Sequence, residues 1–308
     1  MKLVFRSDRV LITGGSGFTG RPLAARLRQD GHAVVSLGHE ADDSPTLNID
    51  LRDLDGLTRT LSQVQPSAIV HLAGIAAPTH SQIGEMYSAN VVGTANLFAA
   101  IGKANLEPRI VIVASSAQLY AVADADVPLT EHSSIAAKTH YAISKRAAEE
   151  IAELHSRQFP IIIARPFNYT GPGQTTSFLV PKIVHHYAER RSEIRLGNLD
   201  LFRDFSDIGR VVEAYSRLVS RPIAPTTVNI CSGRAVHLVD IMKIMDEISG
   251  HPIRVVADTA LFRADEPRSI IGSPSRLETL VGALPNPEFS ETLLRMYDAF
   301  RVQRHVDG

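Results

Sequence analysis

The chain carries a single cysteine, Cys231, so it cannot close an internal disulfide, which suits a reducing compartment. Cys231 stands in the apolar run V-N-I-C-S-G and reads as a buried core thiol. Apolar runs of the roughly 20 residues that cross a bilayer are missing. The opening M-K-L-V-F-R-S-D lacks the long apolar segment of a secretory signal, so a cytoplasmic protein with no membrane partner is expected. Neither sign of charge dominates: 32 basic and 33 acidic residues leave a formal net charge of −1, which excludes a general attraction to nucleic acid. The 12 histidines include no H-E-x-x-H pair and no Cys/His cluster, so no metal site is expected. Internal repeats and low-complexity segments are missing too.

What is present is enough apolar material, 44% of 308 residues, to fill one large or two interlocked domains. The organising stretch is V-L-I-T-G-G-S-G-F-T-G at 10–20. Val10, Leu11 and Ile12 read as a buried parallel strand cut off by glycines, and Phe18, Leu23, Ala24 and Leu27 fall at helical spacing behind it. Gly14, Gly17 and Gly20, with Phe18 and Thr19 between them, are expected to let a pyrophosphate approach the backbone at the start of the helix. A structural turn between strand and helix looks the same in isolation; the flanking strand and helix favour the phosphate cradle.

His32–Leu37 reads as a second strand. An acidic side chain at its end would bond the adenosine ribose and repel a 2′-phosphate. The residues there are Ser36, Leu37, Gly38 and His39, which tilts the choice toward NADPH, with His39 as a phosphate contact and NADH still open. Leu47–Asp50 reads as a third strand, placing Asp50 and Leu51 beside the adenine; Asp50 as the cap of a helix starting near Arg52 is an equal reading. A fourth strand, Ala68–Leu72, runs into H-L-A-G, where Leu72, Ala73 and Gly74 let the backbone pass close to a flat ligand. A long helix is expected from about 81 to 100, with Asn90 inside its apolar stripe and in need of partners if buried.

R-I-V-I-V-A at 109–114 is a buried strand that delivers Ser115 and Ser116 to the end of the sheet where ligands bind. A polar loop at 121–138 precedes a helix carrying Tyr141 and Lys145, which the i, i+4 spacing puts one turn apart on one face. The same spacing arises by chance in structural helices; the order of glycine loop, serines and Tyr/Lys pair gives it meaning. A phenol ionises near pH 10, and Lys145 together with an oxidised nicotinamide would favour its ionised form. Tyr141 is then the candidate general acid for a carbonyl oxygen, with Ser116 bonding the same oxygen.

On the glycine loop, Asp50-Leu51, H-L-A-G, N-V-V-G-T at 90–94, S-S-A-Q-L-Y at 115–120 and Y-A-I-S-K at 141–145, the chain resembles the extended short-chain dehydrogenases/reductases over its whole length. The resemblance implies an α/β fold: a Rossmann-type doubly wound parallel sheet at 1–166 and 205–235, and a smaller, discontinuous nucleotide-sugar domain at 167–204 and 236–308. It also implies that the 4,6-dehydratases' acidic pair, here Ala117 and Gln118, is missing, which leaves reduction or epimerisation at C4. R-P-F-N-Y-T-G-P-G-Q at 165–174, G-N-L-D-L-F-R-D-F-S-D at 197–207 and F-R-A-D-E-P-R at 262–268 resemble segments of the GDP-4-keto-6-deoxy-mannose reductases.

By that resemblance Asn168, Arg203 and Arg263 meet the diphosphate of a GDP-sugar, and Glu266 a ribose or base edge. A surface ion pair with Asp204 or Asp265 is the alternative for the arginines. The expected activity is NAD(P)H-dependent reduction of a 4-keto sugar nucleotide. A 4-epimerase with tightly bound NAD is the enzymatic rival, and a cofactor-sensing regulator of the same fold the non-enzymatic one. A homodimer through the helices at 81–102 and 139–156 is implied by resemblance alone.

Overall fold

The computed structural model describes residues 8–38, 46–76, 82–121, 127–262 and 266–306. Its strands are β1 (Arg9–Thr13), β2 (Ala33–Leu37), β3 (Thr46–Leu47), β4 (Ala68–His71), β5 (Ile110–Ala114), β6 (Ile161–Pro166), β7 (Asn168–Thr170), β8 (Glu193–Leu196), β9 (Phe202–Asp207), β10 (Thr226–Ile230), β11 (Ala235–His237), β12 (Arg254–Ala257) and β13 (Ser269–Ile270). Between them run α1 (Gly20–Gln29), α2 (Leu54–Val64), α3 (Ile83–Tyr87), α4 (Gly93–Lys103), α5 (His140–Leu154), α6 (Leu179–Ala188), α7 (Ile208–Ser220), α8 (Leu238–Ser249), α9 (Ser275–Val281) and α10 (Phe289–Val306).

Among the described residues seven strands form one parallel sheet in the order β10-β6-β5-β4-β1-β2-β3. Successive strand residues face opposite layers of helices, which is why these strands read as unbroken apolar runs. Val10, Ile12, Val70, Ile112 and Ile162 pack on Leu23 and Leu27 of α1 and on Val211 and Leu218 of α7. Leu11, Ile69, Val111 and Ile163 pack on Leu57 and Leu61 of α2, Leu97 and Ile101 of α4, and Ala152 of α5. The strand order turns back on itself between β1 and β4, so the crevice beyond their carboxyl ends is where a ligand has room.

A third core holds Ile183, Tyr187, Ile241, Met245, Leu293 and Met296, from α6, α8 and α10. Beside it β9 pairs antiparallel with β11 and parallel with β13 and β7. We propose the two-domain division implied by the resemblance with one change: Leu277, Val281 and Leu284 pack into the first core with Val211 and Val228, so α9 goes with the dinucleotide domain.

Two local expectations are corrected. The third strand is Thr46–Leu47 only. Asp50 instead closes a turn, accepting the Arg52 amide at 2.9 Å and the Arg52 guanidinium, and the residue that caps α2 is Asp53, through Gly56 N at 2.9 Å. The long helix expected at 81–100 starts at Ile83 and is interrupted at Ser88–Val92 by a π-turn, whose extra residue no regular periodicity reveals.

The helix α5 is anchored from below. Arg165, on β6, grips both carboxylate oxygens of Glu149 at 2.7 Å and also donates to the Tyr120 hydroxyl at 3.2 Å. The Glu149 side chain has 0% exposure and that of Arg165 5%, so removing the carboxylate strands the guanidinium. Glu149→Gln is expected to lower unfolding free energy by about 3 kcal/mol, measured as a shift in urea midpoint.

Candidate active site

Beyond β1 the chain turns at Gly14 with φ +72°, a conformation that a side chain would strain, and a Cβ there would stand 2.8 Å from Ala73 N. The glycine loop is therefore packed on H-L-A-G, which brings Leu72 and Ala73 against it. Gly17 is exposed, and a Cβ on it would meet only Gly14 O, at 3.2 Å. Among the described residues the amides of Phe18 and Thr19 have no protein acceptor. Unpartnered amides on an open glycine turn at a helix start fit an anionic diphosphate.

The last residues of β1 and β4, Thr13 and His71, are register partners. Their side chains begin a buried hydrogen-bonded run that the sequence reading missed. Thr94 donates its hydroxyl proton to Asn90 O at 2.6 Å, so its oxygen accepts from His71 Nε2 at 2.9 Å. His71 Nδ1 then accepts the Thr13 hydroxyl at 2.6 Å, and Thr13 in turn accepts Ala73 N–H at 3.2 Å. The imidazole is held as its neutral Nε2–H tautomer, and burial, with the Lys145 ammonium nearby, pushes its pKa down to about 3.

Asn90 finds the partners that its place in the apolar stripe demands. Its Oδ1 accepts Ile75 N–H at 2.7 Å; its Nδ2 donates to Ile75 O at 3.2 Å and to Ser144 Oγ at 2.9 Å. Ser144 donates on to Tyr141 O at 2.8 Å. The run so reaches α5, whose start Thr139 caps by accepting Ala142 N–H at 3.1 Å. Gly74 lies in the same place: a Cβ on it would stand 2.7 Å from Asn90 Oδ1 and 3.3 Å from Lys145 Nζ.

Ser116, Tyr141 and Lys145 converge at the carboxyl end of β5. The Tyr141 hydroxyl bonds Ser116, and Lys145 Nζ donates to Ala114 O at 2.8 Å. Burial pushes the phenol up to about 12, against the Ser116 bond, and pushes the ammonium down to about 8, against the pull of Glu149. The expected lowering of the phenol concerned Lys145 together with an oxidised nicotinamide; in the protein by itself the ammonium is committed to a carbonyl and burial dominates at the phenol.

Ala117 is buried and Gln118 exposed beside Ser116, and neither is acidic. Asp50 lies in its turn with Arg52, while Leu51 O accepts Asn96 Nδ2 at 2.9 Å at the start of α4. Asn168 is exposed on β7. Arg203 and Glu266 are brought together with each other, at 3.0 Å, and Arg203 also donates to Phe202 O and Arg268 O. Asp204 is not its partner: it accepts Ser232 N–H, Ser232 Oγ–H and the amides of Gly233 and Gly272 at 2.6–3.2 Å. His39 and Arg263 lie outside the described residues.

Glycine turn, switch-point crevice and converging Ser, Tyr and Lys define a dinucleotide-dependent α/β enzyme of the oxidoreductase type. The chain belongs to the NAD dependent epimerase/dehydratase family, whose profile matches residues 10–231. It is 32% identical over 274 residues to the GDP-6-deoxy-D-talose 4-dehydrogenase of Aggregatibacter actinomycetemcomitans, covering 89% of this chain and 91% of that one. The GDP-6-deoxy-D-mannose reductase of Pseudomonas aeruginosa is 28% identical, over 93% and 95% of the two chains. Among solved structures, RMD from Pseudomonas aeruginosa complexed with NADPH superposes with a TM-score of 0.85 at 28% identity, over 96% and 99% of the two chains. The protein is thus an NAD(P)-dependent enzyme of the nucleotide-sugar 4-dehydrogenase, reductase or epimerase type.

His71 makes stability depend on pH. Its folded pKa, about 3, lies below the ordinary 6.5, so between these values the unfolded chain binds a proton that the folded one refuses. Its contribution is whole above pH 6.5 and is lost on acidification at about 1.4 kcal/mol per pH unit. Urea unfolding from pH 7 downward should show a shallower loss for His71→Asn than for the unmutated chain, from a lower starting stability.

Proposed function

We propose that the protein reduces the C4 ketone of GDP-4-keto-6-deoxy-D-mannose with NADPH, NADH being the weaker donor, to GDP-D-rhamnose or its C4 epimer GDP-6-deoxy-D-talose. The observation that carries this reading is the convergence of Ser116, Tyr141 and Lys145 at the carboxyl end of β5, where burial keeps the Tyr141 phenol protonated at neutral pH. A ketone oxygen gaining negative charge takes its proton from such a donor, and in the reverse oxidation the same group takes the proton back. The dinucleotide, when bound, supplies the hydride. Phe18 and Thr19 hold its diphosphate by their free amides, and β2 ends in Ser36-Leu37-Gly38, with no carboxylate to repel a 2′-phosphate.

Ser116 orients the ketone oxygen and Tyr141 Oη delivers the proton. Lys145, held at Ala114 O, keeps a positive charge on the same helix face. Ala117 and Gln118 offer no acid or base for eliminating water, which separates this site from a dehydratase. The names of the two GDP-6-deoxy-sugar relatives support the nucleotide and the sugar. On this reading Asn168, Arg203, Arg263 and Glu266 belong to the sugar-nucleotide side, with Arg203 and Glu266 acting as a pair.

The deciding experiment incubates the protein with GDP-4-keto-6-deoxy-D-mannose and NADPH or NADH, follows cofactor absorbance, and assigns the C4 configuration by NMR. One cofactor oxidised per sugar reduced is expected. Sugar turnover without added cofactor, by protein that purifies with bound NAD, would mean a 4-epimerase instead. Tyr141→Phe should cut kcat by roughly a hundredfold or more and leave the dissociation constant for NADPH nearly unchanged.

The same reading includes a homodimer. Ile83, Val92, Ile143 and Leu154 are 45%, 48%, 42% and 78% exposed on the helical segments that α3, α4 and α5 present. Sedimentation should give twice the chain mass, and Ile143→Glu together with Val92→Glu should give the single mass.

A further inference from the structure

Thr19 precedes α1, where a threonine hydroxyl usually accepts an amide of the first turn. It makes no such bond. Arg21 N–H is taken by Gly17 O at 3.1 Å, and the next residue, Pro22, has no N–H to give. The hydroxyl instead lies 2.9 Å from Tyr169 Oη, far along the chain. Beside it the rings of Phe18 and Tyr169 stack, centroids 5.8 Å apart and planes within 9°. Tyr169 sits on β7, and its register partner is Ser206 on β9. One tyrosine therefore fastens Phe18 and Thr19, two residues of the glycine loop with free amides, to the strand leading out of the main sheet. Desolvation pushes its phenol up, so it stays a neutral hydroxyl bond partner.

We propose that Tyr169 is a positioning residue for the dinucleotide: its ring and hydroxyl set Phe18 and Thr19 so that their amides meet the diphosphate. This rests on the dinucleotide reading above. It gives Tyr169 a role through the loop and none in the proton transfer. The hydroxyls of Tyr169 and Thr19 then act as one unit on cofactor affinity.

The test is a double-mutant cycle read as the NADPH dissociation constant, from the rise in cofactor fluorescence on binding, with unfolding temperature measured alongside. Tyr169→Phe keeps the stack and removes the bond; Thr19→Val removes the bond from the other side. Each alone should weaken NADPH by about fivefold, the worth of one hydrogen bond, and the double variant should be no weaker than either. In steady state the loss should appear in KM for NADPH with kcat held. Unchanged affinity in both single variants, or effects that multiply in the double variant, would overturn the proposal, even if unfolding temperature falls. Should the unmutated protein bind neither NADPH nor NADH, the dinucleotide reading itself fails and takes this one with it.

Discussion

The hydrogen bond between Thr13 and His71, two register partners at the ends of β1 and β4, is the constraint on which the site depends. It stands at the point where the strand order turns back, the one place where the glycine loop, H-L-A-G and the helix carrying Asn90 all come within reach. Each polar group here is shut away from water, so each needs a partner or costs about 1–3 kcal/mol. The run meets that demand in one direction only. A protonated imidazole would present two donors, and Nδ1 would lose its ability to accept from Thr13. The network therefore requires the neutral ring, which takes the Thr13 proton on Nδ1 and leaves the Thr13 oxygen to accept from Ala73 N–H, while Thr94 gives its proton to Asn90 O.

From Asn90 the constraint passes to α5. The π-turn at Ser88–Val92 is what aims the Asn90 side chain across to Ile75 and Ser144 rather than along its own helix. A regular helix would rotate that position by the width of one residue and leave the amide group of Asn90 short of partners in an apolar layer. Gly74 completes the arrangement, because a side chain there would run into Asn90 Oδ1 and crowd Lys145. The loop, the bulged helix and α5 thus fix one another, and the spacing between Ser116 and Tyr141 is inherited from that mutual fit.

Much of this was legible in the sequence because it is local. Strands buried on both faces leave apolar runs, the glycine turn shows its own spacing, and Tyr141 and Lys145 share a helix face by arithmetic. Asn90 announced itself as a polar residue in an apolar stripe. What was not legible depends on residues far apart in the chain. His71 has partners 58 and 23 positions away, so its tautomer follows only once β1, β4 and α4 are side by side. The third strand is cut short by a turn that Asp50 makes with Arg52, a choice between two uses of one carboxylate that the sequence left open. Arg203, read from the sequence as a diphosphate contact or else a surface ion pair with Asp204, lies against Glu266, because β9 and the segment before β13 become neighbours through pairing no motif records.

The electrostatics of α5 join stability to chemistry. Positions 141, 145 and 149 follow one another a turn apart, carrying a phenol, an ammonium and a carboxylate. Burial disfavours charge on the phenol and on the ammonium, and Glu149, whose two oxygens Arg165 meets, pulls the ammonium back up. Arg165 reaches Tyr120 as well, at the far end of the segment that Ser116 opens. The ion pair that holds the helix down therefore also acts on the charge of Lys145. A substitution in that pair reaches the Tyr141 neighbourhood without contacting it, through the influence of Glu149 on Lys145.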